Sequence, residues 1–176
     1  MYRFITALPA KPISYAALGR TVNKIKYIVV HYTGNFNDTA YNNAMYYHRY
    51  NTEKVGANFF IDDYFAYQSI APTKIAYAVG KKYGIAKLWG KCTNANSISV
   101  ELCSQNGLPS EATLDNAETF IKGLMIKYHI PSKRVIRHYD VCRKECPGWP
   151  GWYGNDSSEW FKFKNRFIEF SKEYIE

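Results

Sequence analysis

Between Arg137 and Pro147 the chain reads RHYDVCRKECP, which sets a His, a Lys and a Cys at His-x5-Lys-x-Cys spacing and stops against a proline. A histidine and a cysteine brought together serve either a metal or nucleophilic catalysis. Which applies depends on what the rest of the chain brings to the same place. The other histidines are His31, His48 and His129, and the other cysteines are Cys92, Cys103 and Cys142. His31 ends an apolar run, and His138 follows a short one and opens a loop holding two cysteines. His48 lies among tyrosines on a predicted helix, and His129 ends another helix beside Pro131, where a cation suits the dipole. These two read as structural. Two imidazoles and one thiolate form a borderline-soft set that zinc accepts in tetrahedral geometry, with a fourth position left for water. The thiolate is either Cys142 or Cys146. Cys142 shares a face with His138 if the segment is helical. Arg143 to Cys146 reads more as a loop wrapping back to a metal.

A metal hydrolase also needs a proton shuttle and an electrophilic partner for the developing oxyanion. Glu101 is the one acid set in mid-strand where a core residue is expected. Lys144 stands two residues before Cys146, close enough in sequence to lean over a metal held there. Taken alone, Glu101 reads as a surface-facing strand residue and Lys144 as a solvated loop charge.

Several elements must position these residues. IKYIVVHYTG, Ile25 to Gly34, is apolar on both alternations, the pattern of a strand buried between two layers. His31 shares its Tyr27/Val29 face and sits at the carboxyl end, where ligands bind in open α/β sheets. SISVELC, Ser97 to Cys103, alternates, with Ile98, Val100 and Leu102 on one face and Glu101 on the other. Asn37, Asp38 and Thr39 offer N-caps for a helix running through Tyr50. Asn58 to Asp62 and Phe65 to Ile70 read as a hairpin. Residues 81–96 read as a long surface loop, and such loops are often functional; with Trp89 it could line a groove. Thr113 to Tyr128 is an amphipathic helix, Val135-Ile136 a short strand that delivers His138, and 158–176 a terminal helix. The first 24 residues read as an arm with turns at Pro9 and Pro12. The sum is one α/β domain over residues 1–176, a mixed sheet with helices on both faces and no separate binding module.

The 176 residues suffice to bury a sizeable core. The formal charge of +8 implies an acidic partner. Scattered basic residues argue against nucleic acid, and the absence of a long apolar run argues against a membrane span. The N-terminus lacks the apolar core of a signal peptide. A disulfide framework is not expected of the cysteines.

YIVVHYTG, VGANFFIDD, IAYAVG, NSISVELC and RHYDVCRKECP, in that order from about Ile25 to Trp152, resemble the zinc-dependent N-acetylmuramoyl-L-alanine amidases of the type 2 family. The resemblance implies zinc ligands at His31, His138 and Cys146, not Cys142, with Glu101 and Lys144 as catalytic residues. Ala57 stands where one branch of the family has a tyrosine, which points to the glutamate-using branch. Asn58 stands where relatives often have His. The implied substrate is peptidoglycan, cut between N-acetylmuramic acid and L-alanine, as by a phage-type endolysin made in the cytoplasm and reaching the wall once the membrane opens. The positive charge suits acidic wall polymers. A bacterial autolysin and a non-catalytic peptidoglycan-binding module are the alternative readings; a pure binder needs no metal.

Overall fold

The strand expected at Ile25 to Gly34 is the middle of the molecule. In the computed structural model, which describes residues 3–5 and 8–175, the chain forms β1 (Arg3–Ile5), β2 (Tyr15–Gly19), β3 (Tyr27–Tyr32), α1 (Ala40–Met45), β4 (Phe59–Ile61), β5 (Phe65–Gln68) and β6 (Lys74–Ala76). There follow β7 (Ser97–Leu102), α2 (Glu111–Tyr128), β8 (Val135–Arg137), α3 (His138–Cys142), α4 (Ser158–Asn165) and α5 (Ile168–Tyr174). One mixed sheet runs in the order β1-β5-β4-β7-β3-β8, and β2 pairs with β6 in a separate two-stranded ribbon. β4, β7, β3 and β8 are mutually parallel, while β5 returns antiparallel to β4.

Both faces of the sheet are covered, as the two-sided apolar pattern of β3 requires. On one face Ile28, Val30, Ile98, Val100, Leu102, Phe59 and Ile61 meet Ala117, Ile121 and Met125 of α2 and Trp160, Phe163 and Phe167 from the C-terminal helices. Each large aliphatic side chain buried there contributes about 1.5–3 kcal/mol. On the opposite face Val29 and Ile136 pack with Val79, Cys92 and Val141, and Phe60 packs with Ala40, Ala44, Ala57 and Cys103. The small residues at α1 positions 40 and 44 let that helix lie close to the sheet. The site residues project from this second face.

Three expectations need correction. The N-terminal arm is not irregular: Arg3–Ile5 pairs in parallel with β5, and Tyr15–Gly19 pairs with β6. Phe4 holds β1 in place by stacking on Phe120 at 5.9 Å. Strands of three and five residues with distant partners leave little periodicity to detect. Met1, Tyr2, Thr6 and Ala7 of that arm lie outside the described residues. The helix expected through Tyr50 is α-helical only to Met45 and then widens into a π-helical turn, Tyr46–Tyr50. Thr39 is its N-cap, accepting from the Asn42 amide at 3.1 Å. The terminal helix is two helices. At the break Arg166 and Phe167 donate to Phe163 and Lys164 carbonyls in the tighter i→i+3 pattern. Phe167 turns fully into the core, and Arg166 reaches back to Glu111, Asp115 and Glu118 of α2.

Candidate active site

Strand register assembles most of the site. β3 and β7 pair with His31 opposite Glu101. β8 pairs Arg137 with Val30, so His138, the next residue, comes up beside His31. β4 pairs Phe60 with Glu101 on the far side. Four neighbouring strands therefore deliver Phe60, Glu101, His31 and His138 as one row along their carboxyl ends. The His31 and His138 rings lie 4.7 Å apart between centroids, in an edge-to-face arrangement. His31 Nδ1 is 3.9 Å from Glu101 Oε1.

A short helix and a tight loop bring in the remaining groups. α3 starts at His138, where the Arg137 amide donates to Asp140 Oδ2 at 2.9 Å and the Arg137 guanidinium pairs with the same carboxylate. Arg143, in the left-handed region at φ 62°, ends the helix after barely more than one turn. The chain then doubles back. The Cys146 amide donates to the Lys144 carbonyl at 2.7 Å, and the Tyr139 amide donates to the Cys146 carbonyl at 3.0 Å. A cis peptide joins Cys146 to Pro147. Next along, Gly148 lies so close to the Tyr32 ring that no Cβ would fit there. The loop thus brings Cys146 Sγ to 3.6 Å from His31 Nδ1. His31, His138 and Cys146 are all buried, and one ligand atom of each lies within 4.8 Å of the others. Cys142 is buried on α3 with its sulfur 3.9 Å from the His138 carbonyl, outside this group.

Burial decides the protonation of these groups. Desolvation, then the charges of His138 and Lys144, hold His31 well below the ordinary imidazole range. Burial and Lys144 bring His138 down to about 4, so both rings are neutral and able to ligate at neutral pH. Burial lifts Glu101 to about 8, with Lys144 opposing and Asp38 assisting the rise. Burial, followed by the Glu101 charge, raises the Cys146 thiol. A nearby dication reverses the argument for a thiol by stabilising its thiolate.

His31 Nε2, both ring nitrogens of His138 and Glu101 Oε2 are buried without a hydrogen-bond partner among the described residues. Leaving such a group unsatisfied costs about 1–3 kcal/mol. One ring nitrogen from each histidine and the Cys146 sulfur, gathered within 4.8 Å of one another, fit a cation that prefers two nitrogens and one sulfur. Zinc meets that description.

The site opens into a cleft of about 240 Å3 whose walls include Glu101, Lys144, Tyr32, Thr33, Asn43 and Tyr47. Glu101 keeps 18% of its side chain exposed, enough to touch a molecule in the cleft. Thr33, Asn43 and Tyr47 escape sequence reasoning. Thr33 lies two residues past His31 with a buried hydroxyl that has no partner among the described residues, and Asn43 and Tyr47 sit at i,i+4 on the helix above. Their only sequence signal is that helical spacing. Trp89 does not line this cleft but a separate hollow with Ile75, Val79 and Cys92. Asn58 is fully buried and ties strands together, its side chain accepting from the Ser99 amide and donating to the Ile70 carbonyl. His48 binds the Pro9 carbonyl through Nδ1, and His129 caps α2 in the left-handed conformation, so both are structural as expected.

Comparison with known proteins bears on the family and the fold. Residues 21–149 match the family model for N-acetylmuramoyl-L-alanine amidase. The chain is 29% identical over 158 residues to the N-acetylmuramoyl-L-alanine amidase CwlL of Bacillus licheniformis, covering 86% of this chain and 43% of that protein. It is 31% identical over 166 residues to BlyA of Bacillus subtilis (strain 168), with the same shares covered. The chain therefore spans about two fifths of the length of these curated relatives. Among solved structures, PlyL superposes with a TM-score of 0.75 at 27% identity, covering 96% of this chain and 97% of that one. The PlyG catalytic domain gives 0.74 at 27%, covering 93% and 92%. With the matched segment running from before β3 to past Cys146, and so through both halves of the site, the chain belongs to the type 2 N-acetylmuramoyl-L-alanine amidase family.

Proposed function

We propose that this chain is a zinc-dependent hydrolase of peptidoglycan, cutting the amide between the lactyl group of N-acetylmuramic acid and the L-alanine of the stem peptide. The observation that carries the reading is the convergence of His31, His138 and Cys146 with Glu101 beside His31, in a group whose His31, Cys146 and Glu101 line one cleft. His31, His138 and Cys146 would hold the zinc ion. Bound there, zinc supplies a Lewis acid for the scissile carbonyl and brings the pKa of water toward ~7.

The chain's own groups do the rest. Glu101 takes a proton from the attacking water and returns it to the departing amine as the carbon–nitrogen bond breaks, one carboxyl serving as base and then acid. Its raised proton affinity suits the second half of that cycle. Lys144 lines the same cleft, and its charge depresses the proton affinity of both histidines, so its ammonium is near the reacting centre. Facing the carbonyl oxygen, it stabilises the tetrahedral oxyanion, a role worth about 3–4 kcal/mol for a good donor. Tyr47 and Tyr32 offer flat apolar faces with polar tips to a sugar or peptide on the cleft walls. A glutamate and a lysine set beside three ligands are superfluous in a pure binding module.

Residues 1–176 act as one catalytic domain, and the site of action is the bacterial cell wall, in the manner of an endolysin. Digestion of purified walls with and without a chelator, with mass analysis of the products, tests the reading. Metal-dependent release of stem peptides carrying a new L-alanine amino terminus is expected. Products cut in the glycan, or between two amino acids of the stem, would overturn it.

A further inference from the structure

A cleft of about 430 Å3 lies against α3, lined by Asp140 and Arg143 among others and by none of His31, His138 and Cys146. That volume is within the ~300–1,000 Å3 of ordinary small-ligand sites. Its lining carries five cations, Lys87, Lys133, Arg137, Arg143 and Lys164, and one acid, Asp140. Asp140 is spent on Arg137: the carboxylate receives Nε and Nη2 of that guanidinium, while Nη1 goes to the Trp152 carbonyl and Ser157. The other four cations make no ion pair among the described residues, although this chain pairs cations elsewhere. Arg166 meets three carboxylates, and Lys122, Lys162 and Lys172 each meet one.

The four come from four separate segments. Lys87 is on the 81–96 loop, Lys133 on the turn before β8, Arg143 at the end of α3 and Lys164 on α4. The loop is tied to the opposite wall, since the Leu88 amide donates to the Asp140 carbonyl and Arg143 Nε donates to the Ile85 carbonyl. Lys164 is largely withdrawn from solvent, spending two donors on the Ser132 and Val135 carbonyls and keeping a third. Its burial lowers its pKa to about 8, a cost that a bound anion would offset. Val135, Ile136, Trp160 and Phe161 add apolar surface.

Donors arriving from several directions match the tetrahedral oxygens of phosphate better than the two oxygens of a carboxylate, and lysine binds phosphate as a point charge. A single phosphate monoester carries about −1.5 to −2. Four uncompensated cations exceed that, so more than one phosphate group is implied.

We propose that this cleft is a second binding site, separate from the amidase centre, for a ligand bearing two or more phosphate groups on a flexible polyol chain. The site itself stands on the geometry of the cleft. The choice of a wall-borne polyol phosphate as its source rests on the proposed function. A double helix is too bulky to enter.

The test is calorimetric titration of the full chain with inorganic phosphate, poly(glycerol phosphate), polyglutamate and a single-stranded oligonucleotide. Two double variants accompany it. K87E/K133E changes the cleft, and K81E/K82E makes the same change of net charge on residues outside its lining. Poly(glycerol phosphate) should bind at least tenfold more tightly than polyglutamate, lose at least tenfold affinity in K87E/K133E, and change less than threefold in K81E/K82E. Weaker binding of inorganic phosphate at the same place supports the multiple-phosphate reading, and equal affinity per phosphate refutes it. Equal losses in the two variants, or tighter binding of polyglutamate or the oligonucleotide, would overturn the proposal. Because the readout is binding, hydrolysis of walls can succeed or fail independently of it.

Discussion

Asn58, buried between β4 and its neighbours, makes a quantitative test. The residue has no exposed surface. Its Oδ1 accepts from the Ser99 amide at 3.0 Å, where the β4–β7 ladder has not yet begun, and its Nδ2 donates to the Ile70 carbonyl at 3.1 Å and weakly to Ala71 at 3.4 Å. Asn58→Ala strands the Ser99 amide and the Ile70 carbonyl in the interior. At about 1–3 kcal/mol for each buried unsatisfied group, the cost is about 2–6 kcal/mol. For a chain of this size one kcal/mol moves the melting temperature by roughly 2–4 °C, so a fall of roughly 4–24 °C is expected. Turnover per folded molecule, measured on wall suspensions well below the new melting temperature, should stay within about threefold of wild type. Thermal melts and rate assays on the same preparation decide. A variant that melts normally yet loses activity would refute the reasoning and make Asn58 a substrate contact.

Glu101→Gln should keep its metal by elemental analysis and lose turnover by about 10²- to 10⁴-fold, the range of a general base. Lys144→Ala should likewise keep metal and slow turnover by about 10²- to 10³-fold. His138→Ala and Cys146→Ser should lose metal together with activity, while Cys142→Ser should retain both; metal loss in Cys142→Ser would mean the other cysteine is the ligand. Because burial lowers Lys164 to about 8 against 10.5 for a free lysine, the unfolded chain binds this proton more tightly than the folded one. Between those values stability gains a positive slope with pH from this group, and Lys164→Met should flatten it in urea titrations at pH 8 and 10.

Much of the site was legible because its chemistry rides on strands with strong patterns. His31 ends a run apolar on both faces, and Glu101 breaks an otherwise uncharged alternation, so both announced themselves. Their adjacency did not. That two residues so distant in the chain are register partners depends on sheet order, which one-dimensional spacing does not encode. Lys144 and Cys146 were visible as a loop, and the left-handed turn at Arg143 explains why that segment does not continue as helix. Tyr47 and Asn43 were hidden, since a tyrosine among 16 carries little information on its own. The short strands of the N-terminal arm were hidden for the opposite reason: their pairing is entirely non-local. The break at Arg166 had no glycine or proline to mark it and follows from where Phe167 and the guanidinium find partners.

The row of Phe60, Glu101, His31 and His138 across four strands has a consequence for how the protein matures. A slip of one residue in any of these pairings would turn that strand's contribution to the opposite face. His31 and Cys146 stand 115 residues apart in sequence, so the ligand group closes only after the long-range part of the sheet has zipped. An ion that needs all three ligands is therefore captured late and by correctly aligned chains alone. If the proposed zinc binds there, its uptake followed in time during refolding should trail the burial of the core, and the metal would act as an inspector of strand alignment, leaving misregistered chains unstabilised and open to proteolysis.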